Sequence, residues 1–241
     1  MDVIDSSGAC VIVGGGLAGL TAALSLAPRP VILLSKAPLE CESSSVLAQG
    51  GIAASVGADD DFSLHLADTL KAGDGLCDES VARAILQAAP AAIDELIQRG
   101  VSFDRDSRGN LTLGLEAAHS RRRIVHAGGD SSGREIMRPL TRRARETPSI
   151  TVIEGATARR LLVDDNTLIG VAAESARGPV VFETCRAVIA TGGIGGLFQY
   201  GTNPAGSWGA GLALAAKAGA VMADLEFIQF HPTALDSISS P

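Results

Sequence analysis

Apolar runs punctuated by glycine and proline set the layout of this chain. "ACVIV", residues 9–13, is a β-branched run that predicts a buried parallel strand, and "GGGLAG" follows at once. "LTAALSLA" then predicts a helix, after which Pro28 and Pro30 bracket a turn into a second apolar strand, "VILLS". Farther on, residues 62–73 and 78–98 have helical character. Ala82, Ile85, Leu86, Ala89, Ile93, Leu96 and Ile97 recur near a 3.6 period, and Gly100 ends the second helix. "VSFDRDSRGNLTLG" predicts a hairpin reversing at its Arg-Gly-Asn turn. Ser132 and Glu135 have capping-box spacing and predict a helix over 133–146. "ITVIEG", "ARRLLVD", "LIGVAAES", "PVVFETC" and "AVIAT" are successive strand candidates, and "GLALAAKAGA" is a final helix. The alternation predicts one continuous α/β unit without internal repeats.

The first strand, turn, helix and second strand form the order of a dinucleotide-binding unit, with Gly14, Gly16 and Gly19 in G-x-G-x-x-G spacing. Gly14 permits the tight turn, Gly16 lets the backbone approach a pyrophosphate, and Gly19 lets the helix pack closely on the sheet. Gly15, Leu17 and Ala18 belong to the same loop, and the helix start offers N–H groups and partial positive charge to phosphate. The acid that usually ends the second strand is replaced by Ser35-Lys36, and the next acid is Glu40. A serine hydroxyl can bind ribose and a lysine adds charge near phosphate; the pair also reads as a polar turn. "AVIATGG", residues 187–193, brings a hydroxyl and bare backbone at Thr191, Gly192 and Gly193 to a strand's carboxyl end, where ligands of open α/β folds collect.

Composition narrows the function classes. The chain has 241 residues, 46% hydrophobic and 20% charged, as expected of a globular protein with a substantial core. A net charge of −7 and 3% aromatic residues argue against nucleic acid as a partner. Cys10, Cys41, Cys77 and Cys185 show no C-x-x-C spacing, so no zinc site or disulfide framework is expected, and a reducing cytoplasm fits. Residues 8–27 carry no charge and approach membrane-spanning length, but acids precede them and Gly and Ala dominate. They predict a buried element, with no membrane association.

Two further stretches carry candidate chemistry. "SSSVLAQGGIAAS", residues 43–55, is a hydroxyl- and amide-rich loop whose two glycines allow a flat ligand against the backbone. "LGLEAAHSRRRIVH" gathers Glu116, His119, Arg121, Arg122, Arg123 and His126, which by residue type alone reads as a solvated basic face or a phosphate patch. In "EFIQFHPTAL", alternation puts Phe227, Gln229 and His231 on one strand face, with Pro232 ending the strand. A histidine there is a structural group or a ligand contact.

These motifs, with "LSK", "HSRRRIVHAGGDSSGRE", "AVIATGGIGG" and "TNPAGSWGAG", occur in one order along essentially the whole chain. In that order they resemble the L-aspartate oxidases of the succinate dehydrogenase and fumarate reductase flavoprotein superfamily. The resemblance implies a Rossmann-like FAD-binding domain of the glutathione-reductase type, with a parallel central sheet plus a smaller β-sheet. It implies an incomplete FAD domain over 1–235, and over 236–241 the start of a linker to a capping domain beyond this sequence, with the catalytic arginine there also. Implied FAD contacts are Gly14 to Gly19, Ser35, Lys36, Ser44, Ser45, Val46, Leu47, Ala48, Gln49, Gly50, Gly51, Thr157, Ala158, Thr191, Gly192 and Gly193. Implied substrate contacts are Glu116, facing the amino group, and His231, donating to a carboxylate.

By the same resemblance, L-aspartate is oxidised to iminosuccinate, with O2 (giving H2O2) or fumarate as acceptor, feeding quinolinate synthase in de novo NAD biosynthesis. Ser44 stands where succinate dehydrogenases carry the histidine that binds FAD covalently, so non-covalent FAD is implied. The family's Gly-Asp-Gly is Gly209-Ala210-Gly211 here, preceded by Trp208, which removes an acceptor near the flavin and implies weaker FAD retention. A dicarboxylate dehydrogenase or fumarate reductase flavoprotein, and a flavin-binding fragment without turnover, are the other readings.

Overall fold

The computed structural model describes residues 2–229. In chain order the first elements are β1 (Asp2–Asp5), β2 (Cys10–Val13), α1 (Leu17–Leu26), β3 (Val31–Ser35) and α2 (Ser44–Leu47). Then come β4 (Ile52–Ala53), α3 (Phe62–Ala72), α4 (Glu79–Gln98), β5 (Leu113–Gly114), β6 (Ile124–Val125) and α5 (Ser132–Glu146). The last are β7 (Ile150–Glu154), β8 (Thr157–Asp164), β9 (Thr167–Ser175), β10 (Gly178–Glu183), β11 (Ala187–Ile189) and α6 (Ala210–Lys217). They divide into two compact units, Met1–Leu47 with Leu140–Pro241, and Ala48–Pro139.

The first unit is built on a four-stranded sheet in the order β11-β2-β3-β7, parallel throughout. All five residues of β3 are buried, as a continuous apolar run demands of a central strand covered on both faces. Val11, Val13, Ile32 and Leu34 pack with Val171, Ala173, Val180 and Phe182 of a second sheet, ordered β1-β10-β9-β8. Their i, i+2 spacing means that each strand contributes one face. α1 covers the opposite face of the parallel sheet, burying Gly19, Leu20 and Ala23. It stops at Leu26 because Ala27 precedes Pro28 and takes an extended ψ of 140°.

The second unit holds a three-stranded sheet, β4-β6-β5, with α3 packed on α4. Asp61 and Asp78 cap the two helices, each accepting hydrogen bonds from two first-turn amides. α4 buries Ile93 and Leu96, while Ile85, expected on that face, is 62% exposed. Arg123 is fully buried: Nε and Nη2 donate to the two Asp60 oxygens at 2.8 Å each, and Nη1 donates to Asp68 Oδ2 at 2.7 Å. A guanidinium removed from water persists only with such paired carboxylates.

Three expectations change. Residues 101–114 do reverse around Gly109, but the ladder is a single bridge, Arg105 to Leu111. Asp106 collects the amides of Arg108 and Asn110, and Leu113–Gly114 pairs with β6 instead. The capping box at Ser132 and Glu135 is not formed, because the Ser132 hydroxyl accepts from Ala127 N and Glu135 pairs with Arg138. No strand occupies residues 226–229, and His231 lies outside the described residues.

Gly19 and Gly8 give a contrast that tests the packing of α1. A Cβ at Gly19 would lie 1.9 Å from the Gly14 carbonyl oxygen, whereas one at Gly8 would meet nothing within 4 Å. Gly19→Ala is expected to destabilise by about 2 kcal/mol or more, and Gly8→Ala by under about 0.5 kcal/mol, in urea unfolding. Equal effects would contradict the close approach.

A second prediction concerns acid. Bonds from the Ser120 amide, from the Ser120 hydroxyl and from Arg123 outweigh desolvation and hold the Asp68 pKa down to about 2, from 3.8. Its contribution is therefore complete above pH 3.8 and is lost as pH falls through about 2. The stability gap between the parent and Asp68→Asn, measured in urea, is expected to be constant from pH 7 to 5 and to narrow below pH 4. A gap that widens on acidification would refute this assignment.

Candidate functional site

A cavity of about 440 Å³ opens in the first unit where β2, β3 and β11 reach their carboxyl ends. This volume is within the roughly 300–1,000 Å³ usual for ligand pockets. It is lined by the turn Gly14–Ala18, the stretch 34–40, residues 42–45, Ala156–Ala158, Ala190–Gly192, Gly206–Trp208 and part of α6. Thus Gly14, Gly15, Gly16, Leu17, Ala18, Ser35, Lys36, Ser44, Ser45, Thr157, Ala158, Thr191 and Gly192 are brought to one wall system.

Backbone geometry makes the turn a cradle. Gly14 has φ +121°, and a Cβ on it would lie 2.1 Å from the Ala190 carbonyl oxygen. A Cβ on Gly15 would lie 2.3 Å from Leu39 Cδ2. The glycines therefore let β2 turn against β11 while leaving backbone on the cavity surface. α1 starts at Gly16 with no side-chain cap of its own, and the Leu17 amide donates to Ser45 Oγ at 3.1 Å. Its positive end thus lies on the wall, and the Ser45 hydroxyl proton is available to an oxygen anion. This fits the pyrophosphate of a dinucleotide.

The rest of the lining carries polar groups suited to ribose and base. The Ser35 hydroxyl is buried and donates to the Ala37 carbonyl at 2.6 Å, so toward a ribose it can serve only as acceptor. Lys36 Nζ sits 4.3 Å from the centroid of the Trp208 ring, a cation–π contact. Glu40, held at φ 70°, and Glu42 bring carboxylates to the same cavity. Gly211 is required beneath it, because a Cβ there would lie 2.0 Å from Thr191 Oγ1. Glu42 and the Lys36–Trp208 pair had no local signal beyond residue type.

The other expected contacts are not among the residues that line this cavity. Gly19 packs beneath the turn, Val46 is buried, and Leu47 and Gly193 are off the lining. Ala48, Gln49, Gly50 and Gly51 belong to the second unit. There Gln49 lines an open hollow with Asp104, Thr112, His126 and Asp130. Glu116 is exposed on a turn in which the His119 amide donates to the Glu116 carbonyl. The expected solvated basic face is divided: Arg122 is exposed, Arg121 donates to the Asp59 carbonyl, and Arg123 is buried. His65 is buried beside His119, and burial first, then Arg123 and His119, lower its pKa. Among the described residues no group of three or more His, Cys, Asp or Glu is placed to hold a metal ion. None of their helices is long and apolar enough to cross a membrane.

Comparison with known proteins agrees with this cavity. Residues 9–241 match the FAD binding domain family. The chain is similar to the L-aspartate oxidase of Mesorhizobium japonicum, 58% identical over 240 residues, covering 100% of this chain and 47% of that protein. It is 56% identical to that of Agrobacterium fabrum over 231 residues, covering 96% and 44%. The chain therefore spans about half the length of the curated relatives it matches. Among solved structures, the apo Sdh1 complex of Mycobacterium smegmatis superposes with TM-score 0.85 at 29% identity, over 91% of this chain and 39% of that one. A quinol-fumarate reductase with menaquinol superposes with TM-score 0.85 at 28% identity, over 91% and 38%. A glycine cradle at the carboxyl end of a parallel sheet and a match over nearly every residue agree on the cofactor, FAD, and place the chain in the FAD binding domain family.

Proposed function

We propose that this chain is the cofactor-holding portion of an L-aspartate oxidase, forming iminosuccinate with O2 or fumarate as acceptor. The observation that carries the reading is the FAD-type cavity in a chain 58% identical, over 240 of its own residues, to 47% of the length of such an enzyme. Bound FAD supplies a hydride acceptor that passes an electron pair onward. The chain's own residues bind and orient. The Gly14–Ala18 turn and Ser45 hold the pyrophosphate, and Ser35, Lys36 and the carboxylates of Glu40 and Glu42 address the nucleoside end. Gln49, Gly50 and Gly51 are further cofactor contacts in this reading, supported by the family resemblance of their loop.

Glu116 is the group that distinguishes an amino acid from a plain dicarboxylate, since its carboxylate attracts the α-ammonium that a plain dicarboxylate lacks. His231 donates a hydrogen bond to a substrate carboxylate. From the α-ammonium form of L-aspartate two protons leave nitrogen for solvent and a hydride leaves Cα for the bound cofactor, and the product is an imine suited to a condensing enzyme such as quinolinate synthase in cytoplasmic NAD synthesis. The 241-residue chain alone is proposed to retain FAD weakly and to turn over little, because its relatives are about twice as long.

The test uses this chain joined to the remaining length of its Mesorhizobium japonicum relative. Anaerobic L-aspartate is expected to bleach the flavin, and air to restore it with peroxide release. Bleaching by succinate and not by L-aspartate would replace the reading with a dicarboxylate dehydrogenase. Glu116→Gln is expected to raise KM for L-aspartate by about tenfold and to leave KM for fumarate within about twofold. Ala210, the first residue of α6, lines the cavity. Ala210→Asp restores an acceptor and places negative charge at a helix start. It is expected to tighten FAD binding to the 241-residue chain by about tenfold, measured by quenching of flavin fluorescence. Unchanged or weaker binding would show that Ala210 is not what limits FAD retention.

A further inference from the structure

The turn carrying Glu116 has little packing of its own. It lies in the connection between β5 and β6, whose base is closed by pairing of Gly114 with Ile124 and by the Arg123 amide donating to the Gly114 carbonyl at 3.1 Å. Leu115 is 51% exposed, and Glu116, Ala117 and Ala118 are exposed as well. Ala118 is held at φ 68°, a left-handed conformation that a residue with a Cβ keeps only when its surroundings impose it. Apolar burial therefore does not hold Glu116.

A charge network anchored on buried Arg123 does reach the turn. Asp68 Oδ2, on α3, accepts from the Ser120 amide at 2.8 Å, the Ser120 hydroxyl at 2.8 Å and Arg123 Nη1 at 2.7 Å. Asp60 receives the other fork of Arg123. Arg123 Nη1 also lies 3.3 Å from His119 Nδ1, and because a guanidinium cannot accept, the contact is a hydrogen bond in the tautomer whose Nδ1 is the acceptor. His119 in turn donates its amide to the Glu116 carbonyl, so an unbroken chain of polar contacts runs from α3 to Glu116.

We infer that Asp68 is a positioning residue for substrate selection, fixing through Ser120, Arg123 and His119 the place of the Glu116 carboxylate that receives the α-ammonium group. The inference rests on the proposed role of Glu116. An exposed carboxylate on a free loop would attract ammonium groups without defining where they dock; one tied to a helix through charged hydrogen bonds selects by position. Loss of Asp68 should therefore damage recognition of the amino acid and spare recognition of the dicarboxylate.

The same hybrid protein tests this. Asp68→Ala is expected to raise KM for L-aspartate by about tenfold and to change KM for fumarate by under about twofold. Because Asp68 acts through Glu116, Asp68→Ala should add nothing further to KM for L-aspartate on a Glu116→Ala background. Hydrogen exchange in the 241-residue chain should show amides 116–120 losing protection while α4 keeps its own. Equal KM increases for both substrates, full additivity with Glu116→Ala, or no change in either KM would overturn the inference. If Asp68→Ala does not fold, the isosteric Asp68→Asn should give the same split at smaller size, and its absence would count equally against the role. An unsubstituted hybrid inert toward L-aspartate would refute the oxidase reading instead. Hydrogen exchange would then decide whether Asp68 holds the turn, and unchanged protection at 116–120 would overturn that.

Discussion

The close approach of three backbone segments at Gly14, Gly19 and Ala190 is the constraint on which the cofactor cavity depends. A Cβ at residue 14 would strike the Ala190 carbonyl, and one at residue 19 would strike the Gly14 carbonyl. Their absence lets β2 turn sharply, α1 begin immediately, and β11 run beside β2 with Thr191 delivered to the same edge. Moving any of the three would displace the start of α1 from the strand ends and remove the concave backbone surface that suits pyrophosphate.

The two units are stabilised by different physics. In the first, alternate faces of buried strands bring Val11, Val13, Ile32 and Leu34 against Val171, Ala173, Val180 and Phe182, and hydrophobic burial determines how the layers meet. In the second, β4, β5 and β6 are only two residues each, and an ion pair between fully buried Arg123 and Asp60 joins β6 to the segment before α3. Such a pair adds little net stability against an apolar substitute, but it specifies position sharply, because unpairing either charge in the interior is costly. Position is what a selective carboxylate needs.

The cavity was largely legible in the chain. Gly14, Gly16 and Gly19 announce themselves by spacing, and the strand-turn-helix context around them is carried by an apolar run, a break and a second run. The reversal at Gly109 was legible for the same reason, since its turn chemistry lies within five residues. The capping box at Ser132 and Glu135 has the right local spacing, yet the Ser132 hydroxyl bonds to Ala127 of a neighbouring loop and Glu135 to Arg138. Competing partners decided that case, and spacing does not count competitors.

What the sequence determined by itself is the longer helices, the buried strands of the parallel sheet and the glycine turn, because periodicity and turn preference act between residues a few positions apart. The tertiary structure alone decided that Arg123 leaves the basic run for the interior, pairing with carboxylates 63 and 55 positions away. It also decided that Lys36 meets the Trp208 ring, and that Gln49 lines a different hollow from Ser45. Burial and ion pairing depend on which distant segments the packed sheets bring together. A run of three arginines carries no mark of which one will be enclosed.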